Sequence, residues 1–349
     1  MPTIIRINKK EIGKGKPVFI IAEAGVNHNG DMQLAKKLID AAKDAGADAV
    51  KFQAFTAEKL VTTHAPMASY QKKNTGSTSS QQTLLKKLEL TLPNFEGLKM
   101  YCDAHGIIFL TAVHSEDVLH AVNKLVPAHK IASGDITNLP FLQKVARTKK
   151  SIILSTGMAT LAEVQEAVNV LKKEKNHRII LLHCTSNYPC HFDEVNLYAM
   201  QTLNKKLNLP VGYSDHTQGF MVGAMAVALG ACVLEKHFTL DKNLPGPDHK
   251  ASLTPHELTE FVHAVRDAHK ALGTGIKKPS PNEEEIKKLV RKSIIASSTI
   301  EKGETITKDM LIIKRPGTGM PPKFLATIIG KKARKKIQAD TLITRSSII

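Results

Sequence analysis

Tryptophan is missing from the chain altogether, and aromatic residues make up only 5% of it. So few rings leave no basic patch interleaved with aromatics of the kind that stacks on nucleic-acid bases. Nucleic acid is therefore not expected as a partner, although 49 Lys and Arg against 32 Asp and Glu leave a net charge of +17. Much of that charge sits in pairs such as Lys36-Lys37, Lys86-Lys87 and Lys172-Lys173, the pattern of solvated helix faces. A basic balance also suits small anionic substrates. Cysteine is scarce. Cys102, Cys184, Cys190 and Cys232 show no C-x-x-C spacing, so reduced, buried thiols are expected rather than disulfides or a zinc site. No run approaches the roughly 18 apolar residues that span a bilayer, so no membrane association is expected. Residues 1–16 carry neither an apolar signal core nor a small-residue cleavage site, and a cytoplasmic location is the expectation.

At 349 residues and 42% hydrophobic, the chain has material for about two domains with full cores. Short apolar runs recur at 18–22, 49–52, 107–110, 129–132, 151–154, 179–182, 211–213 and 231–234. Stretches of helical periodicity, such as 33–45 and 161–171, lie between them. Eight apolar runs alternating with helices predict an α/β fold, a (β/α)8 TIM barrel over residues 1–272. Parallel strands covered on both faces are apolar throughout, as these are. Residues 273–285 are rich in Pro, Gly and charge and predict a linker. Beyond it, residues 286–349 carry β-like runs at 293–296, 311–314 and 341–345, which predict a small second domain too small to be comfortable alone.

The ends of the runs point to function. Polar and ionisable residues recur there: Glu23, Lys51, Gln53, Lys130, Ser133, Asp135, Ser155, Thr156, Ser214, His216, Glu235, Lys236 and His237. A barrel of this type keeps its active site at the C-terminal ends of its strands. His216 and His237 end adjacent runs and can reach one metal ion. Glu235 lies two residues from His237, on the same side of its strand, as a ligand or an anchor for one. An N/O site of this kind suits Mn²⁺ or Mg²⁺ as a Lewis acid. Inward-facing lysines need an anion or a carboxylate, and Ser155-Thr156-Gly157 precedes a helix, where backbone N–H groups can bind an anion. Together these indicate a phosphorylated or carboxylated substrate. Two other readings stand beside it: a Schiff-base aldolase using Lys130 or Lys236, and a binding role for the basic tail Lys331-Lys332-Ala333-Arg334-Lys335-Lys336.

Several motifs in order resemble the sialic acid synthase family. They are Ala22-Glu23-Ala24-Gly25-Val26-Asn27-His28-Asn29-Gly30, Lys51-Phe52-Gln53, Lys130-Ile131-Ala132-Ser133-Gly134-Asp135, Leu154-Ser155-Thr156-Gly157-Met158, Gly212-Tyr213-Ser214-Asp215-His216-Thr217, Glu235-Lys236-His237-Phe238 and Pro245-Gly246-Pro247-Asp248-His249. The tail with Arg315-Pro316-Gly317-Thr318-Gly319 is similar to that family's antifreeze-like (SAF, β-clip) domain. The resemblance implies condensation of phosphoenolpyruvate with an open-chain N-acylated amino sugar, dependent on a divalent metal. It implies that His216 and His237 hold the metal with Glu235 nearby, and that Glu23 is the acid/base group. Lys51, Gln53, Lys130, Ser133, Ser155 and Ser214 would bind phosphoenolpyruvate; Asn74, Asp135 and Lys236 count among the substrate-binding residues; Tyr188 and Asp248 would contact the sugar. Arg315 would cap the sugar's acyl end from a partner subunit, in a homodimer with swapped C-terminal domains. Family members that make N-acetylneuraminate often carry Asn where Ser186 stands and Glu where Asp135 stands. The run Tyr70-Gln71-Lys72-Lys73-Asn74-Thr75, with Lys86-Lys87-Leu88-Glu89-Leu90, is similar to the legionaminate synthase branch. N-acetylneuraminate synthase is the alternative.

Overall fold

The structure is a computed structural model that describes residues 4–75 and 80–349. The extreme N-terminus, where no signal segment was expected, lies partly outside them. The chain folds as two compact units, Met1–Gly273 and Thr274–Ile349.

In the first unit each apolar run is a strand: β1 (Phe19–Gly25), β2 (Ala49–Ala54), β3 (Ile108–Val113), β4 (Ala128–Ile131), β5 (Ser151–Ser155), β6 (Ile179–His183), β7 (Val211–Asp215) and β8 (Val233–His237). Neighbours pair in parallel, and β8 pairs back onto β1 to close the barrel. Most of the strands run one to three residues further than their apolar runs, because polar residues continue the ladder. The helices follow their periodicity. Met32–Asp44 buries Ala35, Leu38, Ile39 and Ala42, spaced i, i+3, i+4 and i+7, and the Asp31 side chain caps it by accepting from Gln33 and Leu34 N–H.

Alternation along the strands sorts the side chains. Ile20, Ala22 and Ala24 of β1, and Val50, Phe52 and Ala54 of β2, join the core between sheet and helices. Phe19, Ile21, Ala49, Leu110, Ile153, Ile180, Leu182 and Val233 form a separate inner cluster. An antiparallel N-terminal hairpin, Ile5–Ile7 with Lys10–Ile12, adds Ile5, Ile7 and Ile12 to that inner cluster and plugs its floor. Carrying the same parity up each strand aims Glu23, Lys51, Gln53, Lys130, Ser155, Ser214, Glu235 and His237 into the barrel above the apolar layer. Lys236 falls on the opposite face.

The second unit corrects two expectations. Residues 281–285, read as linker, begin the helix Pro281–Val290. Ser280 caps it, Pro281 opens it, and Glu283 completes a reciprocal capping box, so the residues that looked loop-like are helix-start signals. The expected runs 293–296 and 311–314 are strands β9 (Ser293–Ala296) and β10 (Leu311–Lys314), which pair antiparallel. The run 341–345 forms a single bridge, Leu342 to Ile295. Ile294, Ala296, Ile300, Ile306, Ile328 and Ile343 make up most of a core of its own. Among the described residues no helix is long and apolar enough to cross a membrane. All four cysteines are free and buried.

Candidate active site

Above the apolar layer the barrel encloses a cavity of about 340 Å³. Four buried charges of alternating sign run across its base. Lys51 Nζ lies 2.8 Å from Glu23 Oε2 and 3.7 Å from Glu235 Oε2, and Lys130 Nζ lies 3.5 Å from Glu235 Oε1. Gln53 Nε2 donates to Glu23 Oε1 at 3.0 Å, and Ser214 Oγ donates to Glu235 Oε1 at 3.1 Å. Two ammoniums and two carboxylates cancel, which is how such charges survive away from water. Burial disfavours the charged form of Lys51, but Glu23 and Glu235 outweigh it and hold its pKa above the usual lysine value. Burial also raises Glu23, and Lys51 only partly offsets it. Glu235 is opposed by the same burial, yet Lys130 and then Lys51 hold it below the usual carboxylate range. Lys130 is pushed down by burial, against the pull of Glu235.

Beside this base stand two imidazoles. The rings of His216 and His237 are 5.7 Å apart, and Tyr188 packs against His216 at 4.1 Å and edge-on to His237 at 5.7 Å. His216 Nδ1 lies 2.6 Å from the Thr185 carbonyl. A carbonyl only accepts, so Nδ1 carries the proton and Nε2 keeps a lone pair. Burial lowers the His216 pKa to about 4 and takes His237, also opposed by His216, well below the usual range. Both rings are therefore neutral, the form a metal ion takes. His237 Nδ1 is buried without a hydrogen-bond partner among the described residues. These features fit a divalent ion held by two histidines. Glu235, expected as a third ligand, has its oxygens turned to Lys51, Lys130 and Ser214. No set of three or more His, Cys, Asp or Glu stands within reach of one ion among the described residues.

Glu23, Lys51, Gln53, Lys130, Ser133, Ser155, Tyr188, Ser214, His216, Glu235, His237 and Asp248 all line the cavity. Three expected residues do not. Lys236 points to the outer face and pairs with Asp215 at 2.8 Å, which also removes it as a Schiff-base lysine. Asp135 stands behind His114, 2.9 Å from its Nδ1. Asn74 donates to the Pro247 carbonyl at 2.7 Å and so braces the loop that carries Asp248. Arg315, expected to act on a partner subunit's site, is exposed on the segment after β10. The Gly157 N–H, expected to be open to an anion, already donates to Ser133 Oγ at 3.0 Å. A β-carbon at Gly157 would run into Ser186 Oγ, Ser133 Oγ and Cys184 Sγ. His114, Cys184 and Tyr70 line the cavity without having been named as site residues. His114 directly follows β3, where the strand-end rule would have found it; Tyr70 sits on the helix Ser69–Thr75 and carries no such signal.

A polar cavity at the C-terminal ends of the barrel strands, with buried Lys–Glu pairs and two neutral histidines, is the arrangement of a barrel enzyme's active site. The comparisons narrow this. The NeuB family model matches residues 38–277 and the SAF domain model matches residues 291–349, so the chain belongs to the NeuB family. It is 50% identical over 331 residues to the N,N'-diacetyllegionaminic acid synthase of Campylobacter jejuni, covering 94% of this chain and 99% of that protein. It is 48% identical to the Legionella pneumophila enzyme of the same name, covering 96% of this chain and 95% of that one. Among solved structures, the N-acetylneuraminic acid synthetase of Leptospira borgpetersenii in complex with citrate matches with a TM-score of 0.72 and 38% identity, over 82% of this chain and 95% of that chain.

Asp248 gives the cavity a pH signature. Burial, and then the charge of Glu23, raise its pKa from 3.8 to about 7. The folded chain thus keeps a proton up to pH 7 that the unfolded chain releases near 4. In that window the folded state binds more protons, so this group's contribution to stability falls as pH rises. Asp248→Asn removes the effect. Between pH 5 and pH 8 wild type should lose about 2–3 kcal/mol more than the variant, read from urea midpoints. Equal pH dependence in the two proteins would contradict the assignment.

Proposed function

We propose that the protein condenses phosphoenolpyruvate with 2,4-diacetamido-2,4,6-trideoxymannose to give N,N'-diacetyllegionaminate and phosphate. The observation that carries this is the charge-balanced cavity with two neutral histidines, in a chain that matches two diacetyllegionaminic acid synthases over nearly its whole length. In the reaction C3 of phosphoenolpyruvate bonds to the aldehyde carbon of the open-chain sugar. Water adds at C2, and phosphate leaves as the C2–O bond breaks.

Lys51 and Lys130 face the anionic phosphate and carboxylate, with Ser133, Ser155 and Ser214 as hydroxyl donors. Because Glu235 already fixes both ammoniums, little reorganisation is needed when the substrate charge arrives. Glu23 stands between Lys51 and Gln53 and is the proton-transfer group beside the new bond. Its raised pKa brings it closer to the operating range of an acid/base catalyst. His216 and His237 would hold a divalent ion such as Mn²⁺ or Mg²⁺, which when bound polarises the aldehyde oxygen. Tyr188 and Asp248 orient the sugar. Ser186, shorter than Asn, lines the cavity and leaves room for an acetamido group where N-acetylmannosamine has a hydroxyl.

The enzyme works as a dimer in which Arg315 of one copy caps the acyl end of the sugar bound by the other. Support comes from how the Arg315 segment is held. Gly317 N–H donates to the Lys288 carbonyl at 2.8 Å, Ser293 Oγ donates to the Pro316 carbonyl at 2.6 Å, and Gly319 N–H donates to Ser293 Oγ at 2.9 Å. An exposed guanidinium on so fixed a segment is presented rather than loose.

Side-by-side kinetics with mass analysis of products test the reaction. The diacetamido sugar should exceed N-acetylmannosamine in kcat/KM by at least about tenfold, roughly 1.4 kcal/mol of transition-state binding. Chelation should abolish turnover and Mn²⁺ restore it. Equal or better use of N-acetylmannosamine would move the assignment to N-acetylneuraminate synthase. For the cap, Arg315→Ala should raise the sugar KM at least about tenfold and leave the phosphoenolpyruvate KM within about twofold. A shift in neither constant would remove Arg315 from the site.

A further inference from the structure

We infer that the buried ion pair Lys236–Asp215 is a positioning device that sets the spacing of His216 and His237 for a shared metal ion. This rests on the metal role given to the two histidines above. Strands β7 and β8 lie in a register that places Lys236 opposite Asp215 and Glu235 opposite Ser214. Strand parity turns Ser214, Glu235 and His237 into the cavity and turns Asp215 and Lys236 away from it. The pair is therefore a rung on the outer face, directly behind the functional rung.

Its bonds reach both sides of His216 and the near side of His237. Lys236 Nζ lies 2.8 Å from Asp215 Oδ2 and donates to the Thr217 carbonyl at 2.5 Å. Asp215 Oδ1 accepts from the Thr217 N–H at 2.9 Å and from its hydroxyl at 2.7 Å. Asp215 and Thr217 are the neighbours of His216 in the chain, so His216 is the one residue between two points tied to a single ammonium. That ammonium belongs to the residue immediately before His237. Lys236, Asp215 and Thr217 are all at most 1% exposed. Burying this charge pair costs desolvation that an apolar pair would avoid, so its expected return lies in geometry rather than in stability. The carbonyls of the two histidines are also held, His216 by Cys190 N–H at 2.8 Å and His237 by Leu253 N–H at 2.9 Å. The ion pair ties the two strand ends to each other through side chains on that face.

The test is Mn²⁺ binding to the metal-free enzyme, measured by titration calorimetry and by the Mn²⁺ electron paramagnetic resonance signal, with thermal unfolding alongside. The variant is Asp215→Asn with Lys236→Met, which removes both charges, keeps an oxygen for Thr217 and leaves no unpaired buried ion. It should unfold within a few degrees of wild type yet bind Mn²⁺ at least about tenfold more weakly. Lys236→Arg, which keeps the charge pair, should restore binding to within about threefold. Should the double variant not fold, Asp215→Asn with Lys236→Gln, which likewise leaves no buried charge unpaired, answers the same question, with the same weakened binding expected. A folded double variant of either kind that binds Mn²⁺ as wild type does would overturn the inference. Wild type that binds no Mn²⁺ would instead overturn the metal role of the histidines, and this inference with it.

Discussion

Everything in the cavity depends on the chain of opposite charges Glu23–Lys51–Glu235–Lys130. Moving any one of these ions out of water costs several kcal/mol, and none has solvent to fall back on. They persist because each carboxylate faces an ammonium contributed by another strand. Glu235 is the hub: it meets Lys51, Lys130 and Ser214 and so joins four of the eight strands, β2, β4, β7 and β8. In the proposed reaction, a substrate carrying phosphate and carboxylate would enter a site whose positive charges are already oriented. The pairing that lets these charges stay buried would then be the same arrangement that receives the anion.

The barrel separates four tasks by height and by face. The inner floor is apolar and sealed by the N-terminal hairpin. The next layer up is ionic and holds Glu23, Lys51, Lys130 and Glu235. Above it stand the neutral rings of His216, His237 and Tyr188, with Asp248 on a loop braced by Asn74. The outer face carries structural pairing, of which Lys236–Asp215 is the charged example. This layering explains how histidines kept neutral by burial can sit near two lysines: the ammoniums are matched by Glu23 and Glu235 rather than left to repel.

Much of this was legible in the sequence. Eight apolar runs marked the eight strands, and the polar residues that end them supplied much of the polar lining of the cavity. Strand alternation, applied residue by residue, would also have turned Lys236 outward, since it lies between Glu235 and His237; proximity to a motif prevailed over parity. Asp135 and Asn74 were close in sequence to the site but act on it through His114 and Pro247, and pairings between distant segments leave no local signal. Ser280-Pro281-Asn282-Glu283 read as linker because Pro and Ser punctuate loops and helix starts alike. Tyr70 stacks near Tyr188 at 5.2 Å from a helix over a hundred residues away in sequence, a contact that only the closed barrel creates.

Glu235 is the carboxylate that both lysines share, and it completes with Glu23 the neutralisation that the substrate anion of the proposed reaction would otherwise supply. The most direct measurement is thermal unfolding of Glu235→Gln with and without phosphoenolpyruvate. Removing one partner of a buried ionic pair costs about 3–5 kcal/mol, so the variant should melt well below wild type. Phosphoenolpyruvate should then raise its melting temperature by more than it raises that of wild type, because the anion supplies the missing charge. A variant as stable as wild type, with the same or a smaller shift on adding phosphoenolpyruvate, would contradict the account.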